Sequence, residues 1–509
     1  MARRGKRWRD KRTAASRWAA SGLLVLAFAL APAGAQPPPQ AATALDEGED
    51  EALQQRLTER EDKRRPRDPI SVDVAGRPLV LGGEVELEAG LLRPYRAVDA
   101  PGRDDRALLE LGLEAEAFYS VGKPLSVFAQ LRLAAEEDLR VGDYMQISER
   151  YLERGEMWLY SEDIGGSGID LDLGRLDFED DRRWWWDEEL DAVRIAFEGE
   201  RVEFALAFAR ELGPNRSDRD FVDPEHDRVQ RLIAEASWDW APNHALQLFA
   251  LRQRDRSRSE SPGRTVAAER EDESDARLTW LGARAIGAVE FRRAGIVGYW
   301  LDAARVRGTE RLAEYQALTP RQSEVVVVTQ HRVRGHALDA GLTWLLPLAG
   351  EPRLFAGVAF GSGDAAVDDA GDDRDRGFRQ TTLHANEAGF GGVQRYPHYG
   401  VLLAPQLANL RVDTVGAGLS LLRASSLDVV YHRYRLHHPA ESLRDARLEL
   451  ELDAVHRDLG SALDLVLAVE EWERVEFFGV LSGFRAGRAV AAGDGAWSYG
   501  AVFAMRIAF

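Results

Sequence analysis

The sequence predicts an all-β fold, a transmembrane antiparallel β-barrel of about eighteen strands, even in number, with both termini in the periplasm. Three observations carry this. The last thirteen residues alternate Trp497, Tyr499, Ala501, Phe503, Met505, Ile507 and Phe509 with Ser498, Gly500, Val502, Ala504, Arg506 and Ala508. A period of two places these sets on opposite faces of one strand, and an apolar row ending in Phe is the form expected of a closing barrel strand. Beyond the amino-terminal leader, no run of about 20 apolar residues occurs, so no spanning helix can form. A bilayer protein without one must close its sheet, because lipid offers no partners to open backbone groups. The connections between alternating stretches, finally, are short and long by turns.

Taken in order, residues 1–35 read as a signal peptide. Arg3, Arg4, Lys6, Arg7, Arg9, Lys11, Arg12 and Arg17 form a basic region, residues 22–31 are apolar, and Ala33-Gly34-Ala35 is a small-residue cleavage site. Removing the leader's net +7 takes the chain from −19 to −26, which argues against nucleic acid as a partner. Cysteine is absent, excluding thiolate metal sites and Cys nucleophiles. Residues 36–70 mix acids with Arg and Lys behind Pro37-Pro38-Pro39 and read as a flexible periplasmic linker. The barrel is expected over 71–509.

From Leu79 onward, stretches of about ten residues alternate. Leu109, Leu111, Leu113, Ala115 and Ala117 oppose Glu110, Glu114 and Glu116; Leu125, Val127, Ala129, Leu131 and Leu133 oppose Ser126, Gln130 and Arg132. Short connections fall at 120–124, 161–168, 198–201, 241–244, 292–295, 347–352, 423–426 and 457–461. Longer ones, rich in charge or Gly, fall at 94–106, 136–150, 175–189, 210–229, 253–276, 304–335, 362–411, 436–446 and 473–496. Seventeen connections join eighteen strands, wide enough for an aqueous bore.

Parity assigns Arg132, Arg194, Arg353 and Arg506 to the lumen, with Glu84, Glu114, Glu116, Asp302, Asp339 and Asp464. Guanidinium groups grip carboxylates in bidentate fashion, so arginines on a bore wall suit an anionic cargo, while opposed acids keep binding weak enough for release. The same charges could instead pair and stiffen the wall. Two further stretches exceed what a hairpin needs. Residues 175–194 set Trp184-Trp185-Trp186 behind Arg182 and Arg183, with the indoles expected on sugar rings or at the membrane interface. The long connection holds Arg379 and Arg395-Tyr396-Pro397-His398-Tyr399-Gly400 and is expected to fold inward and narrow the bore. Residues 364–375 read as a hydrated outer loop rather than a cation site.

The run 175–194, the strand Val358-Ala359-Phe360-Gly361-Ser362-Gly363-Asp364, the block 378–410 and Tyr431-His432-Arg433-Tyr434 resemble the alginate export porins of the AlgE type. The resemblance covers the chain from about residue 79 to the end; the linker has no counterpart in it. It implies an eighteen-stranded outer-membrane barrel passing an anionic polysaccharide (alginate or a related polyuronate) outward, with no cofactor or metal. Arg132, Arg182, Arg183, Arg194, Arg353, Arg379, Arg395 and Arg506 are the expected path. The expected partners are anionic polysaccharide or oligosaccharide, outer-membrane lipid and lipopolysaccharide, and periplasmic secretion or scaffold proteins, around a monomeric barrel. Two other readings stand beside it. One is an uptake porin for small anionic saccharides or organic acids. The other is an outer-membrane hydrolase, disfavoured because no Gly-x-Ser-x-Gly or His-Glu-x-x-His motif occurs and His331, His336, His384, His398 and His432 stand apart from any nucleophile motif.

Overall fold

The computed structural model describes residues 70–94, 105–122, 124–140, 145–257, 261–319, 321–364, 373–448, 450–491 and 493–509. The expected signal peptide and, apart from Ile70, the expected linker lie outside the described residues. A short strand, Ile70–Val74, precedes the barrel and pairs with its first strand.

Eighteen strands among the described residues form one closed sheet. They are β1 Arg77–Arg93, β2 Arg106–Gly122, β3 Leu125–Arg140, β4 Met145–Ser161, β5 Ile169–Glu179, β6 Asp187–Glu198, β7 Val202–Ala209, β8 Val229–Ala241 and β9 His244–Asp255. Then come β10 Ser274–Phe291, β11 Gly295–Thr319, β12 Gln322–Leu345, β13 Arg353–Gly361, β14 Leu410–Leu422, β15 Ser425–Leu436, β16 Asp458–Trp472, β17 Val475–Ala486 and β18 Trp497–Ala508. Each pairs antiparallel with its neighbour in sequence, and β1 meets β18 from Glu84↔Ala508 to Arg93↔Tyr499. Phe509 exchanges both backbone hydrogen bonds with Gly83, at 3.1 and 2.9 Å. The first and last strands thus satisfy each other's edges.

The alternation sorts side chains inside out relative to a soluble sheet. Leu109, Leu111 and Leu113 are exposed on β2 while Glu110 between them is buried. On β16, Leu463, Leu465 and Leu467 are exposed while Ala462, Asp464 and Val466 are buried. An apolar exterior around a charged interior is the arrangement lipid demands.

The strand count matches the sequence reading, but some boundaries move. Residues 304–335, read as a loop, are the outer halves of β11 and β12, strands of 25 and 24 residues. Their arginines alternate with buried Val306 and Val333, so charge marked a strand leaving the membrane, not a break in the strand. Near the carboxyl end, Leu448, Leu450 and Leu452 imitate a strand, yet they are buried in the connection between β15 and β16. The true strand is β17, whose outward parity holds Gly479 and Gly483, positions with no side chain to reveal a pattern.

Within the connection after β13, residues 373–409 turn back into the barrel. Phe390 stacks on Phe355 at 4.6 Å, the Val401 amide donates to Asp464 at 3.1 Å, and the Tyr434 hydroxyl donates to the Tyr399 carbonyl at 2.9 Å. Each wall partner has inward parity, so the segment occupies the lumen. A test of the revised β17 follows. Leu481, exposed on its outer face, should lose about 2–4 kcal/mol when changed to Arg, read as a lower urea midpoint for unfolding from liposomes. Ser482→Ala, one residue away on the inner face, should cost far less.

Candidate functional site

Between β5 and β6 the chain makes a tight turn, 180–186, that drops three indoles into the lumen. Asp180 organises it. Its carboxylate accepts the amides of Arg182, Trp185 and Trp186 at 3.1, 2.7 and 3.0 Å and an ion pair from Arg284 at 2.6 Å. Burial opposes the charge on Asp180, but Arg284 and the two Trp amides outweigh it and hold the carboxyl below its ordinary range. Trp184, Trp185 and Trp186 are 2, 1 and 2% exposed. None sits at the membrane interface or is open to a sugar ring, which corrects both expectations. Trp185 stacks on Phe249 at 5.0 Å. A Cβ at Gly282 would lie 2.1 Å from Trp185 Cζ2, so glycine at that point of the β10 wall makes room for the indole.

Below the turn lies a chain of buried charges. Arg284 on β10 pairs with Asp302 on β11 at 2.7 Å. Arg182 reaches Asp302 at 3.6 Å and Asp339 on β12 at 3.4 Å. Asp339 also accepts Trp300 Nε1 and the Tyr399 hydroxyl, both at 2.9 Å, and Trp184 Nε1 donates to that hydroxyl at 2.7 Å. His398 Nε2 stands 3.5 Å from Asp339, beyond good hydrogen-bond range. Asp339 therefore ties the Trp turn, the inward loop and the wall together at one carboxylate.

All eight predicted arginines face inward or lie in the inward segments, and each is met by protein carboxylates. Arg132 pairs with Glu86 and Glu110 at 2.8 Å, Arg506 with Glu86 at 3.1 Å, and Arg194 with Asp172 at 2.8 Å. Arg353 grips Asp428 in bidentate fashion at 2.8–2.9 Å. Arg183 meets Glu387 at 2.7 Å, Arg379 meets Glu310 at 3.0 Å, and Arg395 meets Glu179. Their access to water separates them. The side chains of Arg132, Arg194 and Arg506 are 21, 32 and 24% exposed, against 1% for both Arg182 and Arg353.

A cavity of about 290 Å3 opens beside Arg194, lined also by Tyr160, Asp170, Asp172, Glu203 and Glu235. The inward loop instead reaches wall residues from β8 to β16, among them Arg231, Gln253, Trp280, Phe355, Tyr434 and Asp464. Sequence reasoning missed Arg284, Asp428 and Glu310, and named His398 within the inward block without its tie to Asp339. Arg284 shares parity with Trp280 and Ile286 on β10, which was a usable signal. The loop residues carry no period to read. Residues 365–372 lie outside the described residues; of the flanking acids, Asp373 pairs with Arg332 and Asp375 with Arg379. Asp255, Asp272 and Asp275 bring ligand atoms within 4.8 Å of one another, but Ser257 Oγ bridges Asp255 and Asp275.

A closed eighteen-stranded sheet with an apolar exterior, a charged bore and an inward loop defines an outer-membrane β-barrel of the porin type. The family model for alginate export matches residues 96–502, and the chain belongs to that family. It is 25% identical over 338 residues to the alginate production protein AlgE of Pseudomonas aeruginosa, covering 64% of this chain and 65% of that protein. It is 21% identical over 338 residues to the same-named protein of Pseudomonas syringae pv. tomato, covering 63% and 65%. The match thus spans just under two thirds of these relatives. The crystal structure of Pseudomonas aeruginosa OccK9 (OpdG) superposes with a TM-score of 0.52 at 10% identity, covering 85% of this chain and 98% of that one, a likeness of fold alone.

Removing the Asp339 carboxylate strips Arg182 of a charged partner in a dry site. Asp339→Ala should destabilise the barrel by about 3–5 kcal/mol in denaturant unfolding, with Asp339→Asn milder because it keeps an acceptor. Burial, with Arg182 and His432 adding repulsion against the pull of Asp339, lowers His398 to about 4 from its ordinary 6.5. Undocked chain binds the proton first, so the docked loop loses stability as pH falls from 6.5 toward 4 and is unaffected above that window. Hydrogen exchange over 396–403, corrected for intrinsic rate, should quicken at pH 5 relative to pH 7.5, and His398→Gln should flatten that difference.

Proposed function

We propose that this barrel is an outer-membrane channel through which an anionic polysaccharide, alginate or a related polyuronate, leaves the cell. The termini and short turns face the periplasm and the long connections face outward. The observation that carries the reading is the divided arginine set within an alginate export family member. Arg182, Arg183, Arg353, Arg379 and Arg395 hold the inward loop and wall in shape. Arg132, Arg194 and Arg506 keep contact with water on the bore wall.

Each accessible guanidinium rests on a protein carboxylate, and a uronate carboxylate is its chemical equal. Passage is then an exchange in which the sugar acid displaces Glu86 or Asp172, and the displaced acid returns as the sugar moves on. Such an exchange keeps each guanidinium paired throughout, and it prevents the tight holding that would stall conduction. The barrel works as a monomer and supplies no energy or bond chemistry of its own. Synthesis of the polymer, with periplasmic secretion proteins delivering it, drives the movement.

Planar-bilayer recording tests this. Changing Arg132, Arg194 and Arg506 together to Gln should shift the reversal potential toward cations. It should also weaken block by uronate oligomers about tenfold, the equivalent of about 1.4 kcal/mol in one charge-assisted contact. Unchanged selectivity and block would remove these residues from the path. Deleting 379–406 should raise conductance several-fold.

A further inference from the structure

The outer face carries arginines of a different kind. The register across β9, β10, β11 and β12 places Arg252, Thr279, Arg307 and Arg334 on one level of the exterior. One level farther from the short turns, Arg277, Thr309 and Arg332 follow, with Arg254 beside them on β9. One level nearer lie Ala250, Leu281, Arg305 and His336, and the next level is Leu248, Ala283, Ala303 and Leu338. Arg252, Arg277, Arg305, Arg307 and Arg334 are all exposed, and Leu248, Leu281 and Leu338 are 53, 52 and 40% exposed. The strands therefore pass from an apolar band into a basic one within two residues, on the side of the long connections.

Inside the barrel every predicted arginine meets an acid. Among the described residues of this outer patch, the ion pair present is Arg332 with Asp373 at 2.8 Å. Arg307 and Arg334 stand directly opposite each other, a pairing that repels. Rungs about 4.8 Å apart and steps of about 6.7 Å along the strands make a grid of bidentate donors of the kind that grips phosphate. A grid continuous with the lipid-facing band must meet whatever anion sits at the head of the acyl chains.

We infer that Arg252, Arg277, Arg305, Arg307 and Arg334 form a docking surface for the phosphate groups of a phosphorylated glycolipid in the leaflet around the long-connection end. This rests on the outer-membrane reading and the proposed orientation, and not on the cargo. The glycolipid clamps the wall from which the longest hairpin rises, and the polymer path lies within.

The full chain, purified in detergent, is mixed with a diphosphorylated lipid A glycolipid or with the same glycolipid stripped of phosphate, and retention is read by native mass spectrometry. The wild type should retain the phosphorylated form at least about tenfold better. The triple variant R252Q/R307Q/R334Q should lose that preference while folding normally, since it relieves repulsion. Equal retention of both glycolipids by the wild type would overturn the proposal without need of any variant. So would undiminished retention by the triple variant. Uronate block in bilayers is measured separately, so failure of the patch and failure of the channel reading are distinguishable.

Discussion

In hydrocarbon a sheet has no tolerable edge. Every unpaired amide or carbonyl in the lipid layer costs several kcal/mol, so the pairing of β1 with β18 is the condition on which everything else rests. Ten residues of β18 are paired across the seam, and Phe509 extends the ladder to Gly83. Closure then imposes the inversion of side chains. The exterior must be greasy, so every polar residue of the strands is sent to the interior or beyond the lipid. The interior acquires its charges as a consequence of where they cannot go.

Those charges must then be settled against one another. A bore packed with guanidinium groups alone would repel itself apart, and one packed with bare carboxylates no less so. Asp180, Arg284, Asp302, Arg182 and Asp339 instead form a continuous alternation of sign across the turn, β10, β11 and β12. Replacing such a chain with apolar residues is often neutral or stabilising, but removing one member is not. It fixes the position of the inward loop rather than adding much net stability. That fixity is what a constriction needs, because a loop held only by apolar contacts would settle in many positions.

How much of this the sequence revealed depends on whether a residue belongs to a strand. Arg132, Arg194, Arg353 and Arg506 were placed in the lumen by parity alone, since a period of two leaves one choice of face once the apolar row is known. One partner was legible for the same reason: Glu110, read opposite the leucines of its strand, meets Arg132. The three tryptophans were not. They sit in a turn, where no period operates, and their burial depends on Asp180 gathering amides and on a glycine in a distant strand. Strand β17 was hidden for a related reason, because glycines on its outer face leave the lipid row incomplete. Leu448, Leu450 and Leu452 supplied a cleaner alternation, yet they are buried within the connection between β15 and β16.

The same residue type thus does two physically different things on the two sides of one wall. Inward, arginine is surrounded by low-dielectric protein, and an unpaired guanidinium there is costly, so each of the eight predicted arginines is placed against an acid. Outward and above the lipid boundary, water screens the charge and no such demand exists. Arg307 and Arg334 can face each other at a cost that would be intolerable a few ångströms away through the wall. Register makes the contrast possible: Val306 and Val333 fill the interior between them, so one residue of alternation separates a paired charge in a narrow bore from an open charge at a membrane surface. A one-residue slip of β11 would exchange the two populations, burying Arg305 and Arg307 without partners and presenting Asp302 to lipid. That cost, and not hydrogen bonding along the ladder, is what holds this long hairpin in its register.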